Sequence, residues 1–271
     1  MNPTHINSSL VSVKWLNANL NTTSLIVLDA TINKAISNTA ERIPNARFFD
    51  IKKKFSTISA PFPSTLPTAE QFQEEARLLG INEDSAVIVY DDKGIYSSAR
   101  AWWLFKTFGF KNIAVLDGGI PEWLNNNFEV EHYKDETYPI GNFEAKLNLE
   151  LMTDFNGINT FSNKPDSLII DARSEVRFKC LVDEPKAGLR RGTIPNSENL
   201  PYTELLNGNK LKSKTELSEI FNNLVEDKTE LVFSCGSGIT ACILALAATL
   251  CNYNNLTVYD GSWTEYGSLT K

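Results

Sequence analysis

The chain has few of the residues that bind metals or build disulfide frameworks. Its 271 residues include only two histidines and four cysteines, and no two cysteines form a CxxC pair. This pattern argues against a zinc site and against a fold held together by disulfides. We therefore expect no metal, and a reducing, cytoplasmic setting.

Long apolar runs and an excess of positive charge are also missing. No apolar run approaches the roughly 18 to 20 residues of a membrane span, and the N-terminus shows no secretory signal pattern. The net charge is -7, whereas nucleic-acid binding needs a basic face. We expect neither a membrane nor a nucleic-acid partner, and a monomer is the default.

The sequence does contain an internal repeat. "SLIVLDA" resembles "SLIIDA", "AVIVYDDKG" resembles "ELVFSCGSG", and "NIAVLDGGIPEW" resembles "NLTVYDGSWTEY", in the same order and about 143 residues apart. Each copy alternates short β-branched runs with amphipathic segments such as residues 68–80 and 214–225. This alternation predicts an α/β fold in which each copy forms a mainly parallel sheet with helices on both faces.

Two tandem domains follow from the repeat. A polar stretch that carries Pro139 and Gly141 separates the two copies. We place the first domain at residues 1–135, a linker at residues 136–150 and the second domain at residues 151–271.

One apolar run of the second copy breaks at a cysteine, in "LVFSCGSGITACILAL". Open α/β sheets bind ligands at the carboxyl ends of their strands, and Cys235 holds that position here. The following apolar residues predict a helix that starts just after Gly238, so Cys235 would lie in a tight loop at a helix N-terminus. Gly236 and Gly238 permit positive φ and close backbone approach. Loop amides and the helix dipole favour the thiolate, which is the nucleophilic form.

A structural cysteine in a glycine turn is an alternative interpretation, because free cysteine often packs as a small hydrophobe. Core packing is the simpler explanation for Cys242 and Cys251, which fall on the predicted helix and at its end. Cys180 lies in a segment inserted before the second "IPN" motif, and a redox role for it stays open.

Motifs along nearly the whole chain resemble the rhodanese superfamily, specifically the thiosulfate/3-mercaptopyruvate sulfurtransferases. The similar stretches are "RIPNARFFD", "YSSARAWWLFKTFGFKNIAVLDGG", "CGSGITA" and "VYDGSW". The resemblance implies two tandem rhodanese-like domains, of which the first, with Asp91 at the cysteine position, is inactive. It also implies a sulfurtransferase that moves a sulfane sulfur from 3-mercaptopyruvate or thiosulfate to a thiol or cyanide through a Cys235 persulfide, without a cofactor.

The resemblance further implies which residues bind the small anionic donor. Arg177 matches one of two arginines that hold the substrate carboxylate, and Lys186 stands at the second, where it keeps the charge but loses the bidentate fork. Ser237 is the implied catalytic partner of Cys235. The other loop residues are implied substrate contacts: Gly236, Gly238, Ile239 and Thr240. The acceptor would be a small thiol or a thioredoxin-like protein.

The sequence departs from this family at its proton relay. The family pairs the loop serine with a histidine and an aspartate, and our alignment places Ser64 and Lys52 there; no histidine lies between His5 and His132. General acid–base help is worth roughly 10²- to 10⁴-fold, so donor preference and turnover stay open. The alternative function is a catalytically weakened persulfide relay or a ligand-binding protein. A phosphatase is disfavoured, because residues 231–250 contain no arginine to hold phosphate.

Overall fold

The computed structural model describes residues 5–37, 40–134 and 136–271. Its contacts divide the chain into two compact units, each of which includes a short segment from the other half of the sequence. The first unit comprises Met1–Thr57, Leu66–Leu147 and Gly208–Leu211, and the second comprises Ile58–Thr65, Asn148–Asn207 and Lys212–Lys271. The predicted start of the first domain at residue 1 and its predicted end at residue 135 lie outside the described residues. The domain bounds therefore stay predictions.

The first unit is built on a parallel sheet of five strands. Its described elements are β1 (Leu10–Val11), α1 (Val13–Asn19), β2 (Leu25–Asp29), β3 (Glu41–Arg42), β4 (Arg47–Phe48), α2 (Ala69–Leu78), β5 (Ala86–Tyr90), α3 (Ser98–Thr107), β6 (Ile113–Leu116), α4 (Gly119–Asn125) and β7 (Glu131–His132). The strand order is β1-β6-β5-β2-β4, and β3 and β7 form a separate antiparallel ribbon. All residues of β2 and β5 are buried, so both faces of the sheet are covered.

The second unit repeats this plan. Its elements, with one strand of the first unit among them in chain order, are two 3₁₀ turns (Leu149–Leu151 and Tyr202–Leu205), β8 (Met152–Thr153), α5 (Phe155–Ser162), β9 (Ser167–Asp171), α6 (Glu175–Phe178), β10 (Ser197–Asn199), β11 (Leu206–Asn207), β12 (Lys210–Leu211, of the first unit), α7 (Lys214–Val225), β13 (Glu230–Ser234), α8 (Ala241–Leu250), β14 (Leu256–Tyr259) and α9 (Ser262–Leu269). The strand order is β10-β9-β13-β14-β8, with every described pairing parallel. The predicted α/β class with two similar domains is confirmed.

Local sequence signals determine where α2 begins and ends and where α7 begins. The Thr68 hydroxyl accepts a hydrogen bond from the amide of Gln71 at 3.2 Å at the start of α2, and Gly80 takes φ +69° just beyond its end. Ser213 and Glu216 form a reciprocal capping box at the start of α7. Every helix within the described ranges is too short or too polar to cross a membrane.

Candidate active site

Cys235 lies at the carboxyl end of β13, in the middle of the second sheet. Strand β13 pairs with β9 on one side, where Ser234 aligns with Asp171, and with β14 on the other. The chain goes from β9 to β10 on one side of the sheet and later returns to β13 on the other side. The cysteine loop, residues 235–240, therefore lies at the topological switch point, where open α/β sheets bind ligands.

The helix after the loop begins at Ala241 and not directly after Gly238, as the apolar pattern predicted. The amide of Cys242 bonds to the carbonyl of Ile239, three residues back, at 3.2 Å. This tight entry turn delays the regular α-helix by two residues. The prediction that this apolar segment forms a helix is confirmed, and the first eight residues of α8 are buried.

A serine that the sequence analysis did not single out holds the cysteine loop. The Ser262 hydroxyl oxygen accepts hydrogen bonds from the amides of Cys235 at 3.0 Å and Gly238 at 3.1 Å, and it lies 3.8 Å from the Cys235 sulfur. The same hydroxyl donates to the carbonyl of Tyr259 at 2.9 Å. Ser262 is completely buried and has φ 49°, a conformation that non-glycine residues rarely adopt. The two amides that it holds follow another strand, β13, so no local signal in "VYDGSW" could have revealed them.

The cysteine loop has the chemistry of an anion-binding nest. Cys235 is 2% exposed, and Gly238 adopts φ +74°. Four of its amide N–H groups have no acceptor among the described residues: those of Gly236, Ser237, Ile239 and Thr240. Successive amides in such a turn attract anions. This arrangement suits a thiolate, a persulfide anion or the carboxylate of a donor.

Arg177 packs directly against this loop. Gly236 does not adopt a positive φ. Its lack of a side chain matters instead, because a β-carbon there would stand 3.0 Å from Nη2 of Arg177. The same nitrogen donates to Oε2 of Glu184 at 2.5 Å. The buried Nε of Arg177 has no acceptor in the described part of the chain. Arg177 thus brings a positive charge with an unused donor to the loop, as an anionic substrate requires.

Behind Arg177 lies a buried charge network that the sequence analysis missed. Arg173 donates to both carboxylate oxygens of Asp171, at 2.7 to 3.1 Å, and to Oε1 of Glu184 at 2.7 Å. Burial lowers the pKa of Arg173, but Asp171 and Glu184 outweigh that effect and raise it above its ordinary value. Arg173 is therefore a fixed cation. Its sequence neighbours give no sign of this role, because Glu184 comes from eleven positions further along the chain.

Trp263 connects the network to the cysteine. Its backbone amide donates to the carbonyl of Cys235 at 3.0 Å, and its indole nitrogen donates to the carbonyl of Arg190 at 3.0 Å. The guanidinium carbons of Arg173 and Arg190 lie 4.9 and 4.7 Å from the centroid of its ring. Cation–π contacts of this kind keep both the ring and the cations in place.

Lys186 is placed differently from Arg177. It is exposed, and its ammonium lies 5.9 Å from the centroid of the Phe62 ring. Across the described ranges, no hydrogen bond or ion pair joins Lys186 to the cysteine loop. Ser237 is half-buried in the loop itself. The roles predicted for Lys186 and Ser237 stay predictions.

The residues at the relay positions lie in different units. Ser64 belongs to the segment Ile58–Thr65 of the second unit, where it is buried with φ 62°. Lys52 belongs to the first unit. Its pKa is lowered mainly by burial and to a smaller extent by the positive charge of Arg100. Both histidines lie in the first unit and are exposed, so the unit that holds Cys235 contains none.

The position equivalent to Cys235 in the first unit holds a carboxylate that its own loop binds. Asp91 follows β5, and its oxygens accept hydrogen bonds from the amides of Lys93 at 2.9 Å, Tyr96 at 2.8 Å and Ser98 at 2.8 Å. The Ser98 hydroxyl adds a fourth at 2.6 Å. The first copy thus binds an internal anion where the second copy presents a thiol.

The other cysteines are free. Cys242 is fully buried in α8, with its sulfur 3.4 Å from the carbonyl of Gly238, in agreement with core packing. Cys251 and Cys180 are half-buried.

Comparison with known proteins identifies the class. The family model of the rhodanese-like domain matches twice, at residues 12–126 and 158–269. The crystal structure of SseA from Escherichia coli, a 3-mercaptopyruvate sulfotransferase, superposes with a TM-score of 0.83 and 34% identity over 95% of this chain and 99% of that one. The chain belongs to the rhodanese-like family, with two copies of the domain.

Curated relatives narrow this class to an activity. The 3-mercaptopyruvate sulfurtransferase of Escherichia coli K12 is 37% identical over 95% of this chain and 94% of the relative. The enzyme of the same name from Mus musculus is 36% identical over 95% of this chain and 91% of the relative. The chain is accordingly an enzyme, a sulfurtransferase.

Proposed function

We propose that this sulfurtransferase takes a sulfane sulfur from 3-mercaptopyruvate, or from thiosulfate, and passes it to a thiol through a persulfide on Cys235. The observation that carries the proposal is the position of Cys235, in a loop with unused amides at the switch point and beside Arg177. The names of the relatives support the same donor.

In the first step the Cys235 thiolate attacks the donor sulfur. A bond forms between the two sulfur atoms while the carbon–sulfur bond of 3-mercaptopyruvate breaks, and its electron pair leaves with the pyruvate enolate, which then takes a proton. Arg177 would bind the carboxylate of the donor, and the amides of the cysteine loop would stabilise the anionic persulfide.

In the second step an acceptor thiolate attacks the outer sulfur of the persulfide. The sulfur–sulfur bond to Cys235 breaks, and its electron pair returns to Cys235 as a thiolate, so the loop recovers its starting charge. A cyanide ion would accept the same sulfur as thiocyanate. We expect the acceptor to be a small thiol or a thioredoxin-like protein, and the setting to be cytoplasmic.

The second unit contains no histidine, and this absence should affect the two donors differently. Sulfite, the leaving group of thiosulfate, is a stable anion, whereas the pyruvate enolate needs a proton. A chain without the relay histidine would therefore lose more with 3-mercaptopyruvate than with thiosulfate. A persulfide relay that receives its sulfur from another protein is the second candidate for the same reason.

Steady-state turnover separates these candidates. Purified chain is incubated with either donor and a thiol acceptor, and pyruvate, sulfite and sulfide are measured. We expect turnover that Cys235→Ser abolishes and that Cys242→Ser, a matched change at a buried cysteine, largely retains. Turnover with neither donor, together with persulfide formation on Cys235 from an upstream protein, would support the relay. Undiminished turnover by Cys235→Ser would overturn both.

A further inference from the structure

Glu184 is a buried carboxylate that contacts two arginines at once. Its Oε1 accepts from Nη1 of Arg173 at 2.7 Å, and its Oε2 accepts from Nη2 of Arg177 at 2.5 Å. The Glu184 side chain is 1% exposed, whereas that of Arg177 is 25% exposed. Glu184 therefore links a fixed interior cation to the cation at the edge of the cysteine loop.

We propose that Glu184 is a positioning residue, which holds the guanidinium of Arg177 against the cysteine loop. This inference rests on the proposed function, in which Arg177 binds an anionic donor. Neither the family motifs nor the internal repeat pointed to Glu184.

The position of Glu184 is itself set from the centre of the sheet. Asp171 ends β9, the strand next to β13, and it holds Arg173 through three hydrogen bonds. Arg173 also donates from Nη2 to the carbonyl of Gly192 at 2.9 Å. The contacts run from Asp171 through Arg173 and Glu184 to Arg177, so the strand that frames the site also determines where the arginine lies.

Among the described residues, Glu184 alone accepts a hydrogen bond from the Arg177 side chain. Arg177 lies on α6, a helix of only four residues, and Ser174, Glu175 and Val176 before it are exposed. An arginine that is free to rotate must be immobilised when it binds a ligand, and orientation in advance removes that cost. Glu184 uses one hydrogen of Nη2 and leaves the remaining donors of Arg177 to a substrate anion.

Glu184 could affect the site through its negative charge or by positioning Arg177. The two roles predict opposite changes in the rate at which an anionic reagent reacts with Cys235. If Glu184 merely makes the site less positive, then Glu184→Gln should accelerate the reaction of an anionic reagent with Cys235. If Glu184 positions Arg177, the same variant should slow that reaction. The two arginines contact different oxygens of Glu184, and in a glutamine that keeps this orientation the NH₂ group would face one of them.

The experiment compares iodoacetate with iodoacetamide on the full chain. Alkylation is followed by mass spectrometry on the peptide that contains Cys235. The rate constant for iodoacetate divided by that for iodoacetamide measures how strongly the site favours an anionic reagent over a neutral one. We expect Glu184→Gln to lower this ratio about tenfold, as loss of a charge-assisted hydrogen bond predicts. In an Arg177→Gln background, Glu184→Gln should have no further effect.

Glu175→Gln is the matched control. Glu175 lies on the same short helix and is exposed, and it pairs with Lys179 at 2.5 Å. The variant removes the same charge from the same neighbourhood without a contact to Arg177, and its ratio should stay within twofold of the wild type. Glu184→Asp serves as a second variant, because it keeps the charge but is too short to reach both arginines; we expect the same fall.

Two results would overturn the positioning role. One is a ratio that rises or stays unchanged in either folded Glu184 variant, and the other is an equal fall in Glu175→Gln. The measurement needs only the Cys235 thiol, so it is independent of turnover. If the wild-type chain turns over neither donor but the Glu184 variants show the fall, the positioning role stands and the proposed function is overturned. Normal turnover without the fall would overturn the positioning role alone.

Discussion

The hydroxyl oxygen of Ser262 lies 3.8 Å from the sulfur of Cys235 and accepts hydrogen bonds from two amides of the cysteine loop. A single side chain at the start of α9 thus fixes both the first residue of the loop and Gly238. Its positive φ of 49° brings the hydroxyl to this place at a cost in backbone conformation. Residues that keep such a conformation are commonly found where function requires them.

We expect Ser262→Ala to lower both stability and sulfur transfer. Two buried amide donors lose their acceptor, and each unsatisfied donor costs about 1 to 3 kcal/mol. The free energy of unfolding should therefore fall by about 2 kcal/mol or more, and turnover by about tenfold, because the loop no longer holds its amides in place. Urea unfolding and steady-state turnover measure these two effects.

Ser262→Gly is the control for backbone strain. It also removes the hydroxyl, but glycine adopts positive φ without steric cost. We expect it to be more stable than the alanine variant and equally slow. Wild-type turnover by either variant would contradict the role of Ser262 in holding the loop.

Asp91 leads to a prediction about the first unit. Its carboxylate accepts four hydrogen bonds from its own loop, so Asp91→Ala removes this acceptor from three amides and a hydroxyl. We expect a loss of about 3 kcal/mol in the free energy of unfolding. Asp91→Asn keeps one acceptor oxygen and should lose less. Thermal unfolding of the two variants checks the order, and equal stability of both with the wild type would contradict it.

The sequence patterns predicted the elements that depend on local chemistry. The β-branched runs became β2, β5, β9 and β13, and Ser213 with Glu216 starts α7 as a capping box. Cys235 could be placed at a strand end for the same reason, because a break in an apolar run is a local feature.

Long-range contacts explain what the patterns missed. Ser262, Arg173 and Glu184 act through partners that come together only in the fold, and each looks unremarkable beside its sequence neighbours. The segment Ile58–Thr65 groups with the second unit although it lies in the first half of the chain. No periodicity marks such an exchange.

Asp117 leads to a prediction about pH. Burial raises the pKa of this carboxyl, although the amide of Leu211 and the charge of Lys210 oppose the shift. A carboxyl whose pKa is higher in the folded state binds a proton more readily when folded, so its contribution to stability decreases as pH rises through the raised pKa. The asparagine of Asp117→Asn does not titrate, so this variant lacks that dependence of stability on pH.

The difference in melting temperature between Asp117→Asn and the wild type should therefore shift in favour of the variant between about pH 4 and pH 7. Other titrating groups are common to both proteins and cancel in this difference. Thermal unfolding at several pH values measures it. A difference that is constant, or that shifts towards the wild type as pH rises, would contradict the raised pKa.

Restoring the relay residues tests whether their absence changes the donor preference. The resemblance places Ser64 at the family's histidine and Lys52 at its aspartate, so the double variant Ser64→His, Lys52→Asp reintroduces both. Histidine tolerates the positive φ of Ser64 better than most residues do. We expect kcat/KM for 3-mercaptopyruvate to rise by about tenfold or more relative to that for thiosulfate, because only the pyruvate enolate needs a proton.

Ser64→Gln with Lys52→Asp is the matched control, since glutamine has a similar size but does not titrate near neutral pH. It should leave the ratio of the two kcat/KM values unchanged. A gain that is equal for both donors would mean that the histidine acts on binding or on the persulfide rather than on the leaving group. An unchanged ratio in a folded histidine variant would show that the missing histidine does not limit proton delivery, and the proposed greater loss with 3-mercaptopyruvate would then be wrong.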